Sequence, residues 1–139
     1  MDYSRISIII GGILSVLMVL FHLRFPVLFG WKEDFEKIQP RNMRIFFTIH
    51  AALILFFLLF SVISFAFTSE LAECRGAMLG IVLGYSLFWL WRTVWQIVYF
   101  RAAVGHRSVM TAVHFILIAV FGLLCAAYAL PVLHRLSAG

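Results

Sequence analysis

Three of the four apolar segments in this chain carry one histidine near the same end: His22, His50 and His114. The remaining segment carries Arg92 and Gln96. Imidazoles ligate metals and haem iron, and they donate or accept hydrogen bonds; a guanidinium recognises anions. Such groups are costly inside a membrane and mark functional sites there. Four segments converging on one polar layer therefore predict a shared site built by His22, His50, Arg92, Gln96 and His114.

Three chemistries suit such a layer, and the leading one is haem b. His50 and His114 would be axial ligands, with Arg24, Arg92 or Tyr99 on the propionates. In having paired histidines in a four-helix bundle the chain resembles small membrane cytochromes b, which implies redox or electron-transfer work. The second chemistry is a transition-metal site, zinc or copper, held by His22, His50 and His114. The absence of a carboxylate from the layer and the presence of Arg92 weigh against it. The third is a pocket for a lipid, quinone or other small molecule. Arg92 and Arg24 would supply charge, the histidines and Gln96 hydrogen bonds, and Trp89, Trp91 and Trp95 walls. Against all three stands a purely structural role, in which each polar group satisfies a neighbour and fixes helix register. No nucleophile–base pair or paired carboxylates appear, which disfavours a hydrolytic enzyme. A transporter of 139 residues would require oligomerisation.

The elements that must position these groups are read from composition. The chain is 64% apolar and 12% charged, whereas charge makes up about 25% of soluble domains. Residues 6–23, 45–69, 76–91 and 108–134 contain no charged side chain, and a bilayer core needs ~20 apolar residues. Arg92 interrupts the third segment, and its apolar pattern continues to Phe100. The expectation is a single all-α domain, an integral membrane four-helix up-down bundle, with helices at about 6–24, 44–68, 76–100 and 108–133. The first apolar run is longer than a signal-peptide core, so a retained helix is expected.

A net charge of +5 would suggest nucleic acid in a soluble protein. Here the charges flank the helices, so lipids are the expected partner and nucleic acid is not. Arg24, Lys32, Lys37, Arg41, Arg44, Arg101 and Arg107 lie on one side, against Arg5, Arg75 and Arg135 on the other. The positive-inside rule then places both basic loops in the cytoplasm and both termini outside a cytoplasmic membrane. The layer falls in the cytoplasmic leaflet, with His106 in the loop just beyond it.

Helical periodicity places His50 on one face with Phe57, Ser61 and Ser64, His114 with Phe121, Cys125 and Tyr128, and His22 with Gly11 and Ser15. Tyr85, Arg92, Gln96 and Tyr99 form a stripe on the third helix. Segment 25–43 mixes aromatics with charges and reads as interfacial, with a short amphipathic helix over about 31–38. Gly76, Gly80 and Gly84 form two overlapping GxxxG units, expected to pack against a neighbouring helix or a second copy. Gly11, Gly12 and Ser15 make a smaller notch. Each half also reads helix, Arg, loop, His, helix, compatible with two similar hairpins. Cys74 and Cys125 have no metal or redox spacing.

Overall fold

The computed structural model describes residues 3–100 and 108–138. Seven helices occur among them: α1 (Tyr3–Leu23), α2 (Phe25–Leu28), α3 (Trp31–Phe35), α4 (Pro40–Ala66), α5 (Thr68–Glu73), α6 (Ala77–Val98) and α7 (Ser108–Ala138). The four long ones are long and apolar enough to cross a membrane. They match the four expected segments. α4 starts earlier than expected because Pro40 occupies its first turn, where a missing N–H costs nothing. α7 runs on through Pro131, whose side chain is fully buried. His106 and the basic positions Arg101 and Arg107 lie outside the described residues.

α1 packs against α4 and α7, and α6 packs against α7. α4 reaches α6 mainly through rings: Phe60 stacks on Tyr85 at 3.7 Å between centroids, and Phe57 on Trp89 at 5.3 Å. Trp89 stacks in turn on Phe121 at 5.6 Å, so one aromatic column crosses the bundle from α4 through α6 to α7. The notch on α1 allows its close approach. A Cβ on Gly11 would stand 2.7 Å from Cζ of Tyr128, and one on Gly12 would stand 2.9 Å from Phe65. Small residues let backbones approach in this way.

Polar groups at this level are satisfied locally. Ser15 donates to the Gly11 carbonyl at 2.8 Å and Ser64 to that of Phe60 at 2.6 Å. The buried Tyr128 hydroxyl sits 2.8 Å from Ser64 Oγ. At one end of the bundle α5 packs on α1, with Leu71 and Cys74 fully buried. There Ser4 at the start of α1 meets His134 near the end of α7, at 3.4 Å.

The glycine stripe behaves differently from the expectation. Nothing lies within 4 Å of a Cβ built on Gly76, Gly80 or Gly84. Gly76 precedes the helix and takes a positive φ of 54°, a conformation that suits glycine. The stripe thus faces away from every other described helix of its own chain. Close packing within the chain comes from Gly11 and Gly12 instead.

Candidate functional site

The end of the bundle opposite α5 carries the polar layer, and the turn after α1 reshapes it. α1 stops at Leu23, and Arg24 starts the short helix α2, with Pro26 in its first turn. The chain is thereby redirected so that Phe21, Phe25 and Phe29 form a ladder, successive centroids 4.9 Å apart. Four-residue spacing explains the ladder, since such positions share one side of a helical path. Gly30, at φ 64°, then turns the chain into α3, a five-residue helix within the expected 31–38.

The histidines fall into two groups, and Phe25 touches both. Its ring stacks on His22 at 4.2 Å and on His50 at 5.5 Å. The His22 and His50 rings are 5.8 Å apart, and Trp31 meets His50 edge-on at 4.7 Å. Both imidazoles are tied to backbone. His22 Nδ1 donates to the Met18 carbonyl at 2.8 Å, and His50 Nε2 donates to the His22 carbonyl at 3.0 Å. A carbonyl only accepts, so the ring protons sit on those nitrogens. These two histidines are embedded among rings, with a hydrogen bond joining α4 to the end of α1.

Phe25 also lines a cavity of about 300 Å³ between α2, α6 and α7. Its polar wall is made by Arg92, Gln96 and His114; Phe29, Phe100, Met110, Val113 and Leu117 complete it. Gln96 Nε2 donates to His114 Nδ1 at 3.1 Å. An amide nitrogen cannot accept, so Nδ1 carries the lone pair and the imidazole proton is on Nε2. The Arg92 guanidinium lies 4.7 Å from the Phe121 centroid and 5.5 Å from that of Phe100. Its Nη1 is buried without a hydrogen-bond partner among the described residues. Cation–π contacts hold the group in place without satisfying its N–H donors.

Of the expected site residues, Arg92, Gln96 and His114 therefore come together, and His22 and His50 form a separate pair. Arg24 is exposed and lines no part of the cavity. Tyr99 is 61% exposed and continues an outer ladder, Trp91 on Trp95 at 5.8 Å and Trp95 on Tyr99 at 4.9 Å. Tyr85 is in the core and does not line Arg92's cavity, and its hydroxyl has no hydrogen-bond partner among the described residues. Trp89 is fully buried in the aromatic column and is not a wall of the cavity.

The geometry does not fit haem between His50 and His114. His50 Nε2 carries a proton directed at the His22 carbonyl, and the Phe25 ring rather than His50 lines the cavity reached by His114. A three-histidine metal site is not formed either. Among the described residues no group of three His, Cys, Asp or Glu side chains is placed to hold a metal ion.

Sequence reasoning missed Phe25, Phe29, Phe100 and Met110. The first two had a readable signal, the four-residue spacing from Phe21 across a proline compatible with a new helix start. A larger groove of about 540 Å³ between α3 and α4 carries Lys32 and Glu36 on an aromatic floor, one charge of each sign, and so has no preference for an ion. No family model, curated protein or solved structure matches this chain.

Proposed function

We propose that this chain is a multi-pass membrane protein, an up-down four-helix bundle, that binds an anionic headgroup between α2, α6 and α7. Arg92 carries this reading. Its side chain lines a cavity whose other polar side chains are Gln96 and His114, and its buried Nη1 has no hydrogen-bond partner among the described residues. A buried cation without an anionic partner is strongly unfavourable, and a phosphate or carboxylate entering the cavity would offset its charge. His114 adds its Nε2–H once Gln96 has fixed the tautomer. The apolar remainder of the wall suits an amphipathic ligand, and the volume lies at the lower end of the ~300–1,000 Å³ range of small-molecule sites.

Insertion in a bilayer is supported by the outer faces. Ile9, Ile13, Leu20, Leu55, Leu58, Val62, Leu87, Leu90, Phe115 and Leu123 are all exposed around the four long helices. A soluble monomer does not present so extensive an apolar surface. With both termini outside a cytoplasmic membrane, as the basic loops require, the cavity lies in the cytoplasmic leaflet. The chemistry is binding, as a receptor, a lipid-stabilised subunit or one step of a transport path.

Native mass spectrometry of the protein released from mild detergent tests this reading. The wild type retains anionic lipid or another anionic amphiphile, Arg92→Gln loses it, and His50→Phe keeps it. Equal retention by the wild type and both variants refutes the reading. A preparation with a Soret band lost in both His50→Ala and His114→Ala replaces it with haem.

A further inference from the structure

A second depression of about 250 Å³ runs between α1 and α7, bounded by Leu17, Phe21, Ile116 and Val120 among entirely apolar side chains. The two cavities share Val113 and Leu117, one helical turn apart on α7. On the facing side the Phe21–Phe25–Phe29 ladder passes from one to the other, so both walls are continuous. From His114 to Val120 the path covers six residues of α7, or ~9 Å at the helical rise of 1.5 Å per residue. Along its rim the groove opens sideways, since Leu17 is 52% and Ile116 60% exposed.

One end thus offers a guanidinium whose buried Nη1 has no partner among the described residues, in a wall shared with His114, and the other offers hydrocarbon on a face turned outward. Charge at the head and an apolar channel at the tail match one chemistry. Resting on the headgroup reading above, we infer that the ligand is an anionic lipid. Its phosphate or carboxylate sits at Arg92, Gln96 and His114, and one acyl chain lies along the α1–α7 groove. A free phosphate would engage the first part of this site and leave the second without a role. The ligand enters sideways from the bilayer, tail first along α7, and needs no route through the end of the bundle.

The test compares oleoyl lysophosphatidic acid with glycerol 3-phosphate, which share a headgroup and differ in the chain. Both are titrated at fixed detergent concentration into full-length wild type, Leu17→Trp, Ile116→Trp and Arg92→Gln. The tryptophans are introduced at exposed rim positions, and circular dichroism verifies that each variant is folded. The lysolipid is expected to bind wild type at least about tenfold more tightly than glycerol 3-phosphate, a difference of about 1.4 kcal/mol. A tryptophan across the groove removes most of that advantage and leaves glycerol 3-phosphate binding unchanged; Arg92→Gln weakens both ligands. If both tryptophan variants bind the lysolipid as wild type does, the tail placement is overturned and the headgroup reading stands. If Arg92→Gln changes neither affinity, the headgroup reading fails and the lipid assignment fails with it.

Discussion

Substituting alanine for glycine at two positions should have opposite effects, and the sign follows from the packing. At Gly11 the new methyl carbon would stand 2.7 Å from Cζ of Tyr128 and 3.0 Å from both Cε atoms. Carbons pack at ~3.5–4.0 Å, so the methyl intrudes by roughly 0.8 Å at the closest atom. The ring has little freedom to withdraw. Its hydroxyl is held by Ser64 at 2.8 Å, and Tyr85 packs against its side at 5.0 Å. Overpacking of this kind costs ~1–3 kcal/mol. At Gly84, in the body of α6, a methyl meets nothing within 4 Å, and alanine gains up to ~0.8–1.0 kcal/mol over glycine in a helix. The two variants should therefore differ by ~2–4 kcal/mol, taking both terms together. Reversible unfolding in mixed micelles, followed by tryptophan fluorescence, measures both variants on one scale. Tyr128→Leu should partly rescue Gly11→Ala by removing the ring. A neutral Gly11→Ala, or equal losses at the two sites, would falsify the packing described for α1. A loss confined to Gly84→Ala, with a smaller particle on light scattering, would instead place a second copy on the α6 stripe.

Three other outcomes follow from individual contacts. Tyr128→Phe leaves Ser64 and Ser15 bonded to their own helix carbonyls, so it should cost only ~0.5–1.5 kcal/mol. Tyr128→Ala empties a fully buried ring site and should cost several times more in the same unfolding assay, ~3–5 kcal/mol on the scale of aromatic truncations. Cys74 is buried, its thiol donates to the Leu71 carbonyl at 3.1 Å, and desolvation pushes its pKa up despite Arg135. The reactive thiolate is therefore scarcer at neutral pH than for an ordinary thiol near 8.5. Maleimide labelling at pH 7 should be slow in the folded protein, should accelerate as pH rises, and should become fast on denaturation. Fast labelling of folded Cys74 would contradict its placement. Finally, His50→Phe should lower stability through the lost bond to the His22 carbonyl while leaving anionic lipid retention intact. His114→Ala should weaken retention and also lower stability, because it leaves the buried Gln96 amide without its partner.

Much of the architecture was legible because apolar run length is a one-dimensional signal. The four long helices and the Gly11–Gly12–Ser15 notch came directly from it. Proximity along the bundle was legible in part: Arg92, Gln96 and His114 line one cavity. Direction around the bundle axis was not. Periodicity shows that an imidazole faces inward without showing which neighbour it meets, so three histidines at similar depth read as one cluster. Phe25, which stacks on two of them and lines the cavity of the third, belongs to a segment expected to lie at the interface. It reaches the bundle because α1 ends at Leu23 and α2 starts at once. Gly80 and Gly84 illustrate the same limit, since a GxxxG spacing marks a smooth face and leaves open what covers it.

Histidine side-chain nitrogen NMR tests the separation of the three imidazoles most directly. Protein labelled with nitrogen-15 at histidine, assigned by single substitutions, is titrated with oleoyl lysophosphatidic acid in micelles. Among the described histidines only His114 lines the proposed site, with Nδ1 accepting from Gln96, whereas His22 and His50 are bonded to backbone carbonyls outside its wall. The account predicts that the His114 Nε2 resonance moves on binding while those of His22 and His50 stay in place. Movement of His22 and His50 with an unchanged His114 would contradict it.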